Sequence, residues 1–154
     1  MLDLPPEPIP VQDEQVLVPV TAQCIENAAR VYRIHPDLIY ATLIVEGGTV
    51  GEISKPNSDG SYDIGPAQIN SIHLAEMATF DITEVEIKSD GCLNIHWQAR
   101  HLAKRIRQAG EVDNLNDYLY AIARYHSKNK DVAKNYVDKL LNAFSLLYNQ
   151  KVTD

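Results

Sequence analysis

Eight consecutive residues, LIYATLIV (38–45), are apolar almost all round, and the run ends on a carboxylate, Glu46. A segment of this kind has no solvent face, so whatever it forms must be wrapped by the rest of the chain. Periodicity alone does not separate a buried helix from a buried strand here. The flanks favour a helix. Pro36 has the fixed φ suited to the first helical position, Asp37 beside it complements the dipole, and Gly47-Gly48 offers a left-handed stop. The expectation is a central buried helix that delivers Glu46 at its last position.

The other signals are helical as well. Cys24, Ala28, Val31 and Tyr32 recur at helical spacing from Thr21 onward and predict a buried face that includes the first cysteine. Residues 47–63, GGTVGEISKPNSDGSYD, have no period and form a long loop, of the kind that in compact domains serves function or is disordered. Pro66 is expected to open a third helix reaching about Ala78, and Thr83 with Glu86 makes a possible capping box. Asp90 caps a long amphipathic helix with Cys92, Ile95, Ala99, Leu102, Ala103 and Ile106 on one stripe, ended by Gly110. Asn116 or Asp117 opens another, and a last helix runs from about Asp131 to Tyr148. The fold class is therefore all-α, with room for no more than a minor β-hairpin in the 48–63 loop. The helical domain is expected over 21–150, after a Pro-rich N-terminal arm over 1–20 that cannot be helical and reads as an extended arm or, as is more usual at a terminus, a disordered one.

Composition narrows the function classes. A net charge of −7 argues against nucleic acid or an anionic bilayer as partner, since both call for a basic patch. No stretch approaches the roughly 18 apolar residues of a membrane span. The opening residues lack the basic and continuous apolar regions of a secretory signal. His96 and His101 do not have metal-ligand spacing, no HExxH occurs, and the five histidines read as surface or packing residues; neither a metal nor another cofactor is expected. The two cysteines, Cys24 and Cys92, are either unrelated buried thiols or a bridge, and spacing does not decide between them.

Glu46 is the residue with the clearest chemical potential. Desolvation and the negative end of the helix dipole both favour its protonated form, which a general acid needs near neutral pH. A glutamate that simply ends a helix at the surface would look the same in sequence. Gln68 and Asn70, in DIGPAQIN (63–70), are amides beside a glycine and suit sugar hydroxyls, or they are polar residues at a helix start. Tyr125 lies near a predicted helix end, where core packing is the ordinary role.

Taken in order, VEGG (45–48), GSYDIGPAQIN (60–70), DGCLNI (90–95) and AIARYHS (121–127) resemble the specialised lytic transglycosylases, over about residues 22–138. The resemblance implies the lysozyme-like fold and cleavage of peptidoglycan glycan strands in the periplasm, beside a secretion, conjugation or pilus apparatus. It implies that Glu46 is the single catalytic acid/base. It assigns substrate contacts to Gln68, Asn70 and Tyr125, with Tyr125 hydrogen-bonding the catalytic carboxyl; Tyr62 and His126, in the same motifs, are further candidate substrate contacts. It also pairs Cys24 with Cys92. Three departures stand out: Gly47 replaces the serine after the catalytic Glu, Pro66-Ala67 replaces Leu-Met before the Gln, and His126 replaces the Asn after the Tyr.

Overall fold

The computed structural model describes residues 16–126 and 129–153, the side chains of 125, 126 and 150–153 excepted. Helix α1 spans Ala22–Tyr32 and α2 spans Pro36–Glu46. A two-stranded antiparallel hairpin follows, β1 (Asp63–Ile64) against β2 (Ile69–Asn70), with Asp63 opposite Asn70 and Ile64 opposite Ile69. A 3-10 turn at Ser71–His73 leads into α3 (Leu74–Ala78), then α4 (Glu84–Ser89), the long α5 (Gly91–Ala109), α6 (Leu115–His126) and α7 (Lys130–Thr153). The fold is all-α and lysozyme-like, its described strands confined to the one small hairpin. Among the described residues no helix is long and apolar enough to cross a membrane.

Local chemistry explains the boundaries. Thr21 Oγ1 accepts the Cys24 N–H at 3.1 Å to start α1, and Asp90 Oδ1 accepts the Leu93 N–H at 3.1 Å to start α5. Thr83 caps α4 by accepting the Glu86 N–H at 3.2 Å, while its hydroxyl donates to the Glu86 carboxylate. The α6 start falls at Leu115 because Asn114 accepts the Asp117 N–H at 2.8 Å. Gly47, at φ 62°, ends α2 in the left-handed region, and its N–H returns to Leu43 O at 2.9 Å.

Two expectations change. Pro66 opens no helix: the chain turns there between β1 and β2, so the hairpin lies at 63–70 rather than within 48–63. The reason is Gln68, whose φ of 51° closes the turn in a left-handed conformation that a helix start excludes. Val31 does not face inward; it is 57 % exposed, and the buried side of α1 is Cys24, Ile25, Ala28 and Ala29.

The core gathers α1, α2, α5, α6 and α7 around Ile39, Ile95, Leu102, Leu119, Ile122 and Leu140. Helix α2 is buried over its first two turns (Leu38, Ile39, Ala41, Thr42), but Ile44 is 45 % exposed. The helix therefore surfaces at the end that carries Glu46. Val18 bridges the α4–α5 junction: its N–H donates to Ser89 O at 2.9 Å and its carbonyl accepts the Gly91 N–H at 2.8 Å.

Cys24 of α1 and Cys92 of α5 are disulfide-bonded, with Cα atoms 5.7 Å apart and a sequence separation of 68. Closing a loop of that length contributes about 4 kcal/mol through the unfolded chain. Reduction is expected to lower the unfolding free energy by about that amount, measured by urea denaturation with and without dithiothreitol. A change under about 1 kcal/mol would contradict this account of α1 and α5 docking.

Candidate active site

A groove of about 340 Å³ opens beside the end of α2. Its lining comes from three places: Glu46 itself, the hairpin and 3-10 turn (Asp63, Ala67–Asn70, Ile72, His73), and one face of α5 (Trp97, Gln98, His101, Arg105). Trp97, His101 and Arg105 succeed one another at intervals of one helical turn, so they share a stripe.

Glu46 is half-buried, and Tyr136 of α7 donates its hydroxyl hydrogen to Glu46 Oε1 at 2.8 Å. Burial is the largest influence on the carboxyl and raises its pKa above the ordinary 4.5. The Tyr136 hydrogen bond opposes this, Asp63 adds to it through its negative charge, and Arg105 and Lys139 work the other way. Tyr136 is itself buried, and both burial and the neighbouring Glu46 push its hydroxyl above the ordinary range, so it acts as a donor and not as a base.

The hairpin is fixed to α5 by Asn94, which has no exposed surface. Its amide nitrogen donates to Ile64 O and Ile87 O, both at 3.0 Å, and its oxygen accepts the Ala67 N–H at 3.0 Å. Every strong hydrogen-bonding position of this amide nitrogen is used, which is what permits a polar group at full burial. Gly65 (φ 69°) passes so close that a Cβ there would lie 2.4 Å from Asn94 Nδ2. Gly48 is under the same constraint: a Cβ would lie 2.0 Å from Gly65 O. The two glycines let the backbone after Glu46 lie against the hairpin turn.

The residues proposed from sequence separate into groups. Glu46, Gln68 and Asn70 come together in the groove. Gln68 Nε2 donates to Gly65 O at 3.0 Å. Asn70 Nδ2 donates to Ser61 Oγ and Asp63 Oδ1, both at 3.1 Å, and its oxygen accepts the Ile72 N–H at 3.0 Å, so the side chain is engaged in holding the hairpin and capping the 3-10 turn. Tyr62 is not among the groove residues; its hydroxyl donates to Glu84 Oε1. The side chains of Tyr125 and His126 lie outside the described residues; among the described ones, Tyr136 donates a hydrogen bond to Glu46. Glu52 is exposed and away from the groove lining, whereas Asp63 faces into it.

Tyr136, Gln98, His101 and Arg105 were not singled out by sequence. Tyr136 sits 90 positions from its partner, a distance no local pattern bridges. His101 and Arg105 are polar and four apart, and only their burial, which packing decides, marks a second inward face beside the apolar stripe.

No family model matches the chain. It is similar to the invasion protein IagB of Salmonella typhimurium, 27% identical over 124 residues that span 77% of this chain and 73% of that protein. It is also similar to the X polypeptide of Escherichia coli, 32% identical over 89 residues, 58% of this chain and 53% of the relative. Protein IpgF of Shigella flexneri is 31% identical over 81 residues, 53% of each.

Because its folded-state pKa is raised, Glu46 contributes most to stability when protonated, below the unfolded value of 4.5, and that contribution is lost as pH rises through the folded value. A neutral glutamine at 46 escapes the loss. Glu46→Gln is expected to gain stability relative to wild type as pH rises from below 4.5 through the folded-state value, read as the difference in denaturation midpoints. A difference that does not change with pH would contradict the burial argument.

Proposed function

We propose that this chain is a peptidoglycan lytic transglycosylase acting in the periplasm, beside a secretion or conjugation apparatus. The observation that carries the reading is the Glu46 carboxyl, whose acid form is favoured by burial at the edge of a groove and which is held by the Tyr136 hydroxyl. The disulfide fits an oxidising compartment. The name of one relative, an invasion protein, fits a place beside a machine that must cross the cell wall.

In this mechanism Glu46 donates its proton to the glycosidic oxygen between N-acetylmuramic acid and N-acetylglucosamine as the C1–O bond breaks. The resulting carboxylate accepts the proton of the muramyl C6 hydroxyl while that oxygen bonds to C1. The product is a 1,6-anhydro sugar and the enzyme ends in its starting protonation state. No water enters. Tyr136 donates to Glu46 in both halves of the cycle, and its bond strengthens when the carboxylate forms. Gln68 and Gln98 line the groove where N-acetyl and hydroxyl groups would lie.

A second reading rests on Asp63, the other carboxylate of the groove. With Glu46 as acid and Asp63 activating water, the same site would be a lysozyme-type hydrolase. Asp63 Oδ1 already accepts from Asn70, which favours a supporting role for it. A glycan-binding subunit without catalysis is the third possibility, and it predicts binding without cleavage.

Digestion of purified sacculi followed by mass spectrometry separates the three. Wild type is expected to release anhydro-muropeptides, lighter by one water than hydrolysis products, and Glu46→Gln to release them about 100-fold more slowly or worse. Hydrated products would establish the hydrolase. Release of no product by wild type would overturn both enzyme readings.

A further inference from the structure

Residues 16–20 precede α1 as a strap that buries little of itself, Val16 being 82 % exposed and Leu17 54 %. Its backbone is nevertheless held. The last carbonyls of a helix have no partner within it, and at the end of α4 two consecutive ones are taken from outside. Ser89 O accepts the Val18 N–H at 2.9 Å, and Lys88 O accepts the Gly51 N–H at 2.7 Å. The strap and the loop that leaves Glu46 are thus anchored side by side on one helix end.

Side chains continue the contact. Leu17 lies on Gly51: a Cβ there would stand 2.8 Å from Leu17 Cδ2. Val20 of the strap and Val50 of the loop close together on Gly91, each with its Cγ2 atom 2.9 Å from where a Cβ would be. On either side of Gly51 the loop is bonded to the hairpin turn. Gly48 N–H donates to Pro66 O at 3.3 Å, and Glu52 O accepts the Gly65 N–H at 2.9 Å. Gln68 reaches the same place, since a Cβ on Gly48 would lie 2.6 Å from its Nε2. Glu46 stands two residues before Gly48, at the last position of α2.

Residues 47–51, GGTVG, contain three glycines, so the freedom of this backbone has to be removed by contacts from outside it. We propose that Leu17 is a positioning residue of the active site: seated on Gly51, it fixes the loop that leaves Glu46 and so holds the carboxyl and Gln68 in register with each other. The proposal rests on the glycan-cleaving reading of the groove and extends the site's machinery to a residue outside it. Leu17 is not among the groove residues, so it acts through the loop and not on the glycan. Nor does it belong to the apolar core, and its truncation leaves the helical packing intact.

Steady-state kinetics on soluble peptidoglycan glycan strands, together with amide hydrogen exchange, test this on the full chain. Leu17→Ala is expected to lower kcat about tenfold, as a slight misplacement of a reacting group does, with KM within about twofold of wild type. Leu17→Met refills the contact on Gly51 and is expected to keep kcat within about twofold. In Leu17→Ala the amides of Gly48 and Gly51 are expected to exchange about tenfold faster, while those of Ile95 and Leu102 in α5 do not change. A uniform rise in exchange that includes α5 would reduce Leu17 to a stability role and overturn the proposal. An unchanged kcat in Leu17→Ala, a change confined to KM, or a fall in kcat that Leu17→Met shares would overturn it as well. If the wild-type chain cleaves no strand, it is the enzyme reading that falls, and the hold of Leu17 on the loop is then judged by the exchange of Gly48 and Gly51 alone.

Discussion

The hydrogen bond from Tyr136 to Glu46 joins two helices whose contacting residues are 90 positions apart, and the site exists because α7 packs across the end of α2. Helix α2 supplies a carboxyl at the point where an apolar helix emerges from the core. Helix α7 supplies a donor so deeply buried that it keeps its proton. The two influences on Glu46 oppose each other, burial favouring the acid and the phenol favouring the carboxylate. Under the proposed acid/base role, a group that gives a proton and later takes one back needs that balance, because either influence alone would hold it in one state.

The second constraint is steric. The chain after Glu46 must turn sharply and lie against the 63–70 hairpin, and the room for this is measured by the glycines. Gly48 faces Gly65 O, and Gly65 faces the Asn94 amide, with no space for a methyl group at either contact. Asn94 then ties the hairpin to α5 with three hydrogen bonds that are inaccessible to water. Gln68, Asn70 and Asp63 are thus held on a short hairpin that would be marginal in isolation, and the α5 wall stands in fixed relation to them.

Much of this was legible in the sequence because it was local. The caps at Thr21, Thr83 and Asp90, the Pro36 start and the Gly47 stop each place an element boundary from residues within one turn of it. The apolar run 38–45 announced a wrapped helix and thereby made Glu46 conspicuous. The hairpin was misread because Pro66 is a good helix opener, while the left-handed Gln68 two residues later gives no compositional warning. The electrostatic half of the site was illegible for a different reason. Tyr136, Arg105 and His101 act through space on groups far away in the chain, and their effect depends on burial that only packing decides. The cysteine pair stands between these cases: spacing left it open, the motif resemblance implied it, and the juxtaposition of α1 and α5 settled it.

The central claim is a carboxyl whose acid form is favoured by its surroundings, and carbon NMR of the Glu46 side-chain carboxyl reads it directly as a function of pH. The account predicts a titration midpoint above the ordinary glutamate value of 4.5, moving higher still in Tyr136→Phe, where the bond favouring the carboxylate is gone. A midpoint at or below 4.5 in the wild-type protein, or a downward movement in Tyr136→Phe, would contradict it.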